Sequence, residues 1–159
     1  MTAWAAIIAS LSSACVDVTG PPFPRIEETE FAASLGIDLD EMTAIEGGIY
    51  IQDLMVGSGT TIAVGQVIEV SYSMYLADGR LVERRENFSY RANCLEVRPH
   101  GLPAGVYGMK VGGRRRIIVP GRWGYGTRPP PDLDVPVGAI LVFVVDALST
   151  RRDNDDIPC

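Results

Sequence analysis

The chain is poor in the residues that carry most metal and acid–base chemistry. It has one histidine, His100, so a histidine-based triad or a multi-histidine metal site lacks partners. Its three cysteines, Cys15, Cys94 and Cys159, are too scattered for a zinc spacing. No apolar run reaches the length of a membrane-spanning helix. The formal net charge is −6, which leaves little long-range attraction for nucleic acid, and no nucleic-acid partner is expected. Arg114-Arg115-Arg116 is the one basic run. Without accompanying aromatic or glycine residues it reads as the solvent-facing side and mouth of a strand rather than a phosphate patch. No internal repeat or heptad pattern is present, which argues against a purely structural role.

What the chain does have is an ordinary globular composition, 47% hydrophobic and 21% charged, with 17 glycines and 11 prolines. At 159 residues it suits one domain plus a short extra segment. Residues 1–14, MTAWAAIIASLSSA, are apolar or small and uncharged. They read as the apolar region of a secretory signal. Ser12-Ser13-Ala14-Cys15 resembles a bacterial lipobox, which makes Cys15 a candidate for lipidation and the chain a lipoprotein on the periplasmic side of a membrane. Leu11 sits one place too early for that pattern and no Lys or Arg precedes the apolar run. The alternative is an ordinary signal peptide and a soluble periplasmic protein. If Cys15 carries lipid, Cys94 and Cys159 remain as an even pair, a candidate disulfide in an oxidising compartment. Residues 16–47 read as a proline-bearing tether followed by one or two short turns or helices packed on the main body.

From residue 48 to residue 150 the pattern is that of strands. Residues 49–56 form a β-rich run ended by Gly57-Ser58-Gly59, a plain turn, since no Lys and no helical pattern follow it to make a phosphate cradle. Residues 67–76 alternate, with Ile68, Val70, Tyr72, Met74 and Leu76 on one face and Glu69, Ser71 and Ser73 on the other. Ala77-Asp78-Gly79 supplies a hairpin turn, and residues 80–83 return. Residues 101–109 read as one short helix, with Pro103 near its first turn and Leu102, Val106 and Met109 at helical spacing. Residues 117–120 and 139–148 complete the strands. This predicts an α+β domain, a curved antiparallel sheet covered by one helix, with an apolar cleft at one end.

These pieces together resemble the FKBP-type prolyl isomerases. The matching segments stand in family order: Gly57-Ser58-Gly59, Val70-Ser71-Tyr72, Leu76-Ala77-Asp78-Gly79, Gly101-Leu102-Pro103-Ala104-Gly105, Met109-Lys110-Val111-Gly112-Gly113, Val119-Pro120, Tyr125-Gly126, Val135-Pro136 and Leu141-Val142-Phe143. The resemblance implies a five- or six-stranded half-barrel wrapped on the helix, with a proline pocket between them. It implies rotation about X–Pro bonds in exported proteins, with proline-containing polypeptides and macrolide-type ligands as partners, no cofactor or metal, and a monomer. By the same resemblance the catalytic positions are Tyr72, Tyr125, Phe143 and Glu83, the last standing where Asp is usual. The substrate-lining positions are Val82, Phe88, Val97, Arg98, Leu102 and Val135. Val82 stands where Phe is usual and Leu102 where Trp is frequent, and the approach to the helix holds one extra residue near Val97 and Arg98. These departures favour weaker catalysis, or a binding module with little turnover.

Overall fold

The structure, a computed structural model, describes residues 23–91 and 97–152. Six strands form one antiparallel sheet: β1 (Thr43–Ile45), β2 (Ile49–Met55), β3 (Gln66–Leu76), β4 (Leu81–Arg91), β5 (Arg114–Val119) and β6 (Leu141–Arg152). Their order across it is β1-β2-β5-β6-β3-β4. One α-helix lies among the described residues, α1 (Gly101–Val106). The α+β class expected from the strand pattern is the observed one.

The alternation read in β3 is real. Ile68, Val70, Tyr72, Met74 and Leu76 are buried on the helix face, while Glu69, Ser71 and Ser73 are half-buried on the other. Four elements differ in their bounds from the sequence reading. β4 runs on to Arg91, because the charged stretch Glu83-Arg84-Arg85-Glu86 masks its apolar positions; β4 is an edge strand, where charge deters pairing with other chains. β6 starts at Leu141 and extends to Arg152. The helix stops at Val106, since Tyr107 leaves helical geometry with ψ 141° and Gly108 takes φ 76°. β5 takes in all three arginines, and here the solvent-facing reading fails for one of them. Arg115 is 4% exposed and alternates onto the helix face with Ile117 and Val119. Its guanidinium is satisfied there. Nε and Nη2 donate to the two carboxylate oxygens of Asp53 at 2.7 and 3.0 Å, and Nη1 donates to the Gly105 and Tyr107 carbonyls at 3.0 and 2.9 Å. Arg115 thus caps the C-terminal end of α1, where free carbonyls need donors.

Two glycines decide how closely α1 lies on the sheet. A Cβ at Gly101 would fall 2.3 Å from Val119 Cγ1, and one at Gly105 would fall 2.4 Å from Ile117 Cγ2. Four residues apart on one helix face, they let the backbone rest against β5. Leu102 and Val106 are thereby pressed into the main core with Ile117, Val119, Leu141, Phe143 and Val145.

The opposite sheet face has its own cover. Three 3₁₀ turns, Ile26–Glu28, Ala33–Leu35 and Leu39–Glu41, precede β1 and strap this outer face. Ile26, Leu35 and Met42 pack there on Ile118, Ile140 and Val142. Polar ties reinforce the strap: Tyr50 Oη donates to Glu27 at 2.8 Å, and Arg116 Nη1 donates to the Gly36 carbonyl at 2.9 Å.

Candidate functional site

The helix-side face of β3 and β4 is where the aromatic residues gather, and two β-bulges put them there. The register runs Met74 opposite Glu83 and Tyr72 opposite Arg85, then jumps to Val70 opposite Phe88. Three steps on β4 against two on β3 mean one extra residue, which reverses the side-chain parity. Without it Phe88 would face outward with the serines of β3. Asn87 absorbs the irregularity at φ 52°, a left-handed conformation that asparagine tolerates better than most residues. A second bulge leaves Val82 unopposed between Leu81 and Glu83, and Val82 packs on the main core.

The rings meet as edges and faces. Tyr72 stands 5.7 Å from Phe143 and 5.9 Å from Phe88, centroid to centroid, both close to perpendicular. This geometry sets ring edges against ring faces and adds to the burial energy. Leu102, Tyr125, Val135 and Phe143 belong to the same buried cluster as Tyr72, with Val82, Phe88 and Val97 packed against it. Arg98 is exposed. Of the ten family positions, nine lie in or against the main core or, for Glu83, bond to Tyr72 within it; Arg98 does not contribute a buried contact.

The polar edge is ordered. Tyr72 Oη donates to Glu83 Oε2 at 2.7 Å, and Arg85 Nε donates to Glu83 Oε1 at 2.9 Å. Arg85 also lies 5.5 Å above the Phe88 ring, in reach of a cation–π contact. Burial, and then the bond to Glu83, hold the Tyr72 hydroxyl far above the ordinary tyrosine range. Burial pushes Tyr125 up to about 12, with the negative charge of Glu83 acting in the same direction and Arg85 against it. Tyr72 is committed to Glu83, and both phenols keep their protons at neutral pH. Arg85 and Tyr90, whose ring lies 5.5 Å from Phe88, were not singled out from sequence. The signal for Arg85 was its two-residue spacing from Glu83 on one strand, hidden by the run of charges around it.

Cys15, Cys94 and Cys159, the lipidation and disulfide candidates, lie outside the described residues. Among the described residues no cluster of three or more His, Cys, Asp or Glu is arranged to hold a metal ion, and no helix is long and apolar enough to cross a membrane.

A model of the FKBP-type peptidyl-prolyl cis-trans isomerase family matches residues 59–148. The 46 kDa FK506-binding nuclear protein of Spodoptera frugiperda is 35% identical over 120 residues, covering 70% of this chain and 27% of that protein. A peptidyl-prolyl cis-trans isomerase of Saccharomyces cerevisiae is 33% identical over 111 residues, covering 68% of this chain and 26% of its own length. The chain thus spans less than a third of these relatives. Solved structures repeat the fold. A peptidyl-prolyl cis-trans isomerase from Pseudomonas syringae superposes with TM-score 0.64 at 21% identity, over 76% of this chain and 87% of the other. FkpA from Escherichia coli does so with TM-score 0.62 at 25% identity, over 70% and 52%. The family model over residues 59–148 and the relatives above 30% identity place this chain, with its glycine-seated helix and bulged aromatic face, in the FKBP-type peptidyl-prolyl cis-trans isomerase family.

Proposed function

We propose that the chain catalyses cis/trans rotation about X–Pro bonds on the helix-side face of the sheet, among Tyr72, Phe88, Leu102, Tyr125, Val135 and Phe143. The observation that carries this reading is the perpendicular packing of Tyr72 on Phe143 and Phe88, at 5.7 and 5.9 Å, in one cluster with Tyr125. Peptide rotation faces a barrier of about 18–20 kcal/mol, held up by amide resonance. No bond to carbon is made or broken, so no nucleophile is needed. An apolar surround disfavours the dipolar planar amide relative to the twisted one, and the aromatic walls hold the prolyl ring while it turns. Tyr125, which stays protonated, is the donor for a substrate carbonyl. The Glu83–Arg85 pair occupies the Tyr72 hydroxyl, so the polar edge is fixed before substrate arrives.

The partners on this reading are proline-containing polypeptides. The names of several relatives refer to FK506, and macrolide binding at the same face is part of the proposal for this chain. A protease-free isomerisation assay on a proline-containing tetrapeptide tests it, with Tyr125→Phe and Phe143→Ala beside the unaltered protein. The reading requires acceleration by the unaltered protein and loss of it in both variants. Three rates equal to the uncatalysed one would remove it. Val82 and Leu102, standing where larger aromatics are usual, favour the second reading of a binding module with slow turnover. Tight peptide binding without acceleration in the same assay would select it.

The proposed setting is export, with Cys15 lipidated as an anchor and a monomeric domain assisting the folding of exported proteins. Its support is the apolar stretch of residues 1–14, which ends in Ser12-Ser13-Ala14 directly before Cys15. Incorporation of labelled palmitate into the protein, absent from Cys15→Ser, tests it.

A further inference from the structure

We propose that Arg80 is a positioning residue for this site, clasping the loop that carries Tyr125 and Val135 onto the β3–β4 hairpin. The inference rests on the isomerase reading for its catalytic consequence, though not for the clasp itself.

The loop between β5 and β6 contributes two members of the apolar cluster, Tyr125 and Val135, and the stretch between them is largely exposed. Its backbone bonds are mostly local, Arg128 N donating to Tyr125 O, Leu133 N to Pro130 O and Val135 N to Leu133 O, with one longer tie at its start from Gly138 N to Gly126 O at 2.8 Å. Half-buried Leu133 packs on the main core, while the exposed residues around it, Asp134 among them, have little of their own to fix them against the β3–β4 hairpin. Among the described residues, both hydrogen bonds from it to the hairpin come from Arg80. Nη1 donates to Asp134 Oδ2 at 2.7 Å and Nη2 donates to the Asp134 carbonyl at 2.8 Å. The planar guanidinium therefore grips a side chain and a main chain of one residue, immediately before Val135.

The other end of the clasp is firmly seated. Arg80 N donates to Asp78 Oδ1 at 2.9 Å, and Leu76 N donates to Arg80 O at 3.0 Å. The strap holds the turn from outside, with Ala32 N donating to Ala77 O at 2.9 Å. The turn presses so closely on the strap that a Cβ at Gly79 would fall 2.8 Å from Ser34 Oγ. From this base Arg80, one residue before Leu81 and two before Val82, reaches the loop at Asp134, next to Val135.

The ion pair is exposed, with the Asp134 side chain 91% and the Arg80 side chain 40% accessible. Pairs of this kind contribute little to global stability. Positioning, not stability, is where its loss should register, because small displacements of a lining group are amplified in rate.

The test compares Arg80→Ala and Arg80→Lys with the unaltered protein, by kcat/KM on a proline peptide, by thermal melting, and by the amide resonances of Tyr125, Asp134 and Val135. Arg80→Ala is expected to lower kcat/KM about three- to tenfold, to shift or broaden those three resonances, and to leave Tm within about 2 °C. Arg80→Lys keeps the charge but not the fork and is expected to recover only part of the rate. Unchanged resonances and unchanged kcat/KM in Arg80→Ala would overturn the clasp, as would a rate loss that merely follows a large fall in Tm. If the unaltered protein proves inactive, the isomerase reading fails, and the resonances alone decide for or against the clasp.

Discussion

The two faces of the sheet are built from neighbouring residues of the same strands, yet they are different materials. On β5 and β6 the side chains of Ile117, Val119, Leu141 and Phe143 go to the helix, while those of Ile118 and Val142, with Ile140 just before β6, go to the strap. The strap side has an aliphatic centre, closed by Ile26, Leu35 and Met42, with Phe31, Tyr50 and Tyr75 only partly buried at its margin. The helix side mixes aromatic rings with a hydrogen-bonded phenol and a half-buried carboxylate. The strap face only packs, whereas the helix face is at once the main core and a shaped, partly polar surface. A site belongs on the second kind of face, where a few polar groups stand among apolar ones.

The sharpest way to break that contrast is at Phe143, which is fully buried beneath Tyr72. Phe143→Ala is expected to lose about 3–5 kcal/mol of stability, read by urea unfolding, together with activity in the fraction that still folds. Leu35→Ala, on the strap side, is expected to lose about 2 kcal/mol while kcat/KM per folded molecule stays unchanged. A fall in kcat/KM for Leu35→Ala would show that the two faces are coupled and would end the division of labour. Val82→Phe works in the opposite direction. Added wall contact of about 1 kcal/mol should raise kcat/KM several-fold, and no gain would mean that Val82 does not line the prolyl ring.

The smallest effect is in pH. Tyr125 is pushed up to about 12 in the fold, against about 10 for an ordinary tyrosine. A folded-state value above the unfolded one means that its stabilising contribution is complete below about pH 10 and is lost as pH climbs toward about 12. Between about pH 8 and pH 10, kcat/KM is expected to stay level, since the donor keeps its proton. A fall with a midpoint near about pH 10 would show an ordinary, solvated tyrosine at this position instead.

The layout of the fold was legible wherever one physical pattern dominated. β3 alternates because one of its faces is core and the other carries serines, and residues 67–76 could be assigned from that alone. The continuous apolar runs Ile117-Ile118-Val119 and Leu141-Val142-Phe143 carried a second message, that both sheet faces are covered. This accounts for the short 3₁₀ segments ahead of β1. What the sequence hid was parity. Phe88 is placed by an extra residue at Asn87, and no local propensity announces a bulge within a string of charges. Arg115 was hidden for a related reason: within a run of three arginines, only knowledge that Asp53 and the end of α1 lie opposite shows which one turns inward. The ring positions came through the family resemblance; the Arg85–Glu83 spacing was lost in a run of charges, and Arg80 acts by a cross-loop bond that has no signature along the chain.

The most direct measurement is exchange NMR on a short proline peptide with a trace of the protein. Cis–trans exchange is slow by itself, on the order of tens to hundreds of seconds. If Tyr72, Tyr125 and Phe143 frame a surface that favours the twisted amide, the exchange rate should rise in proportion to added protein and fall back when Phe143 is replaced by Ala. An exchange rate that stays at the peptide's own value, at protein concentrations where binding is evident from peptide line widths, would contradict that claim.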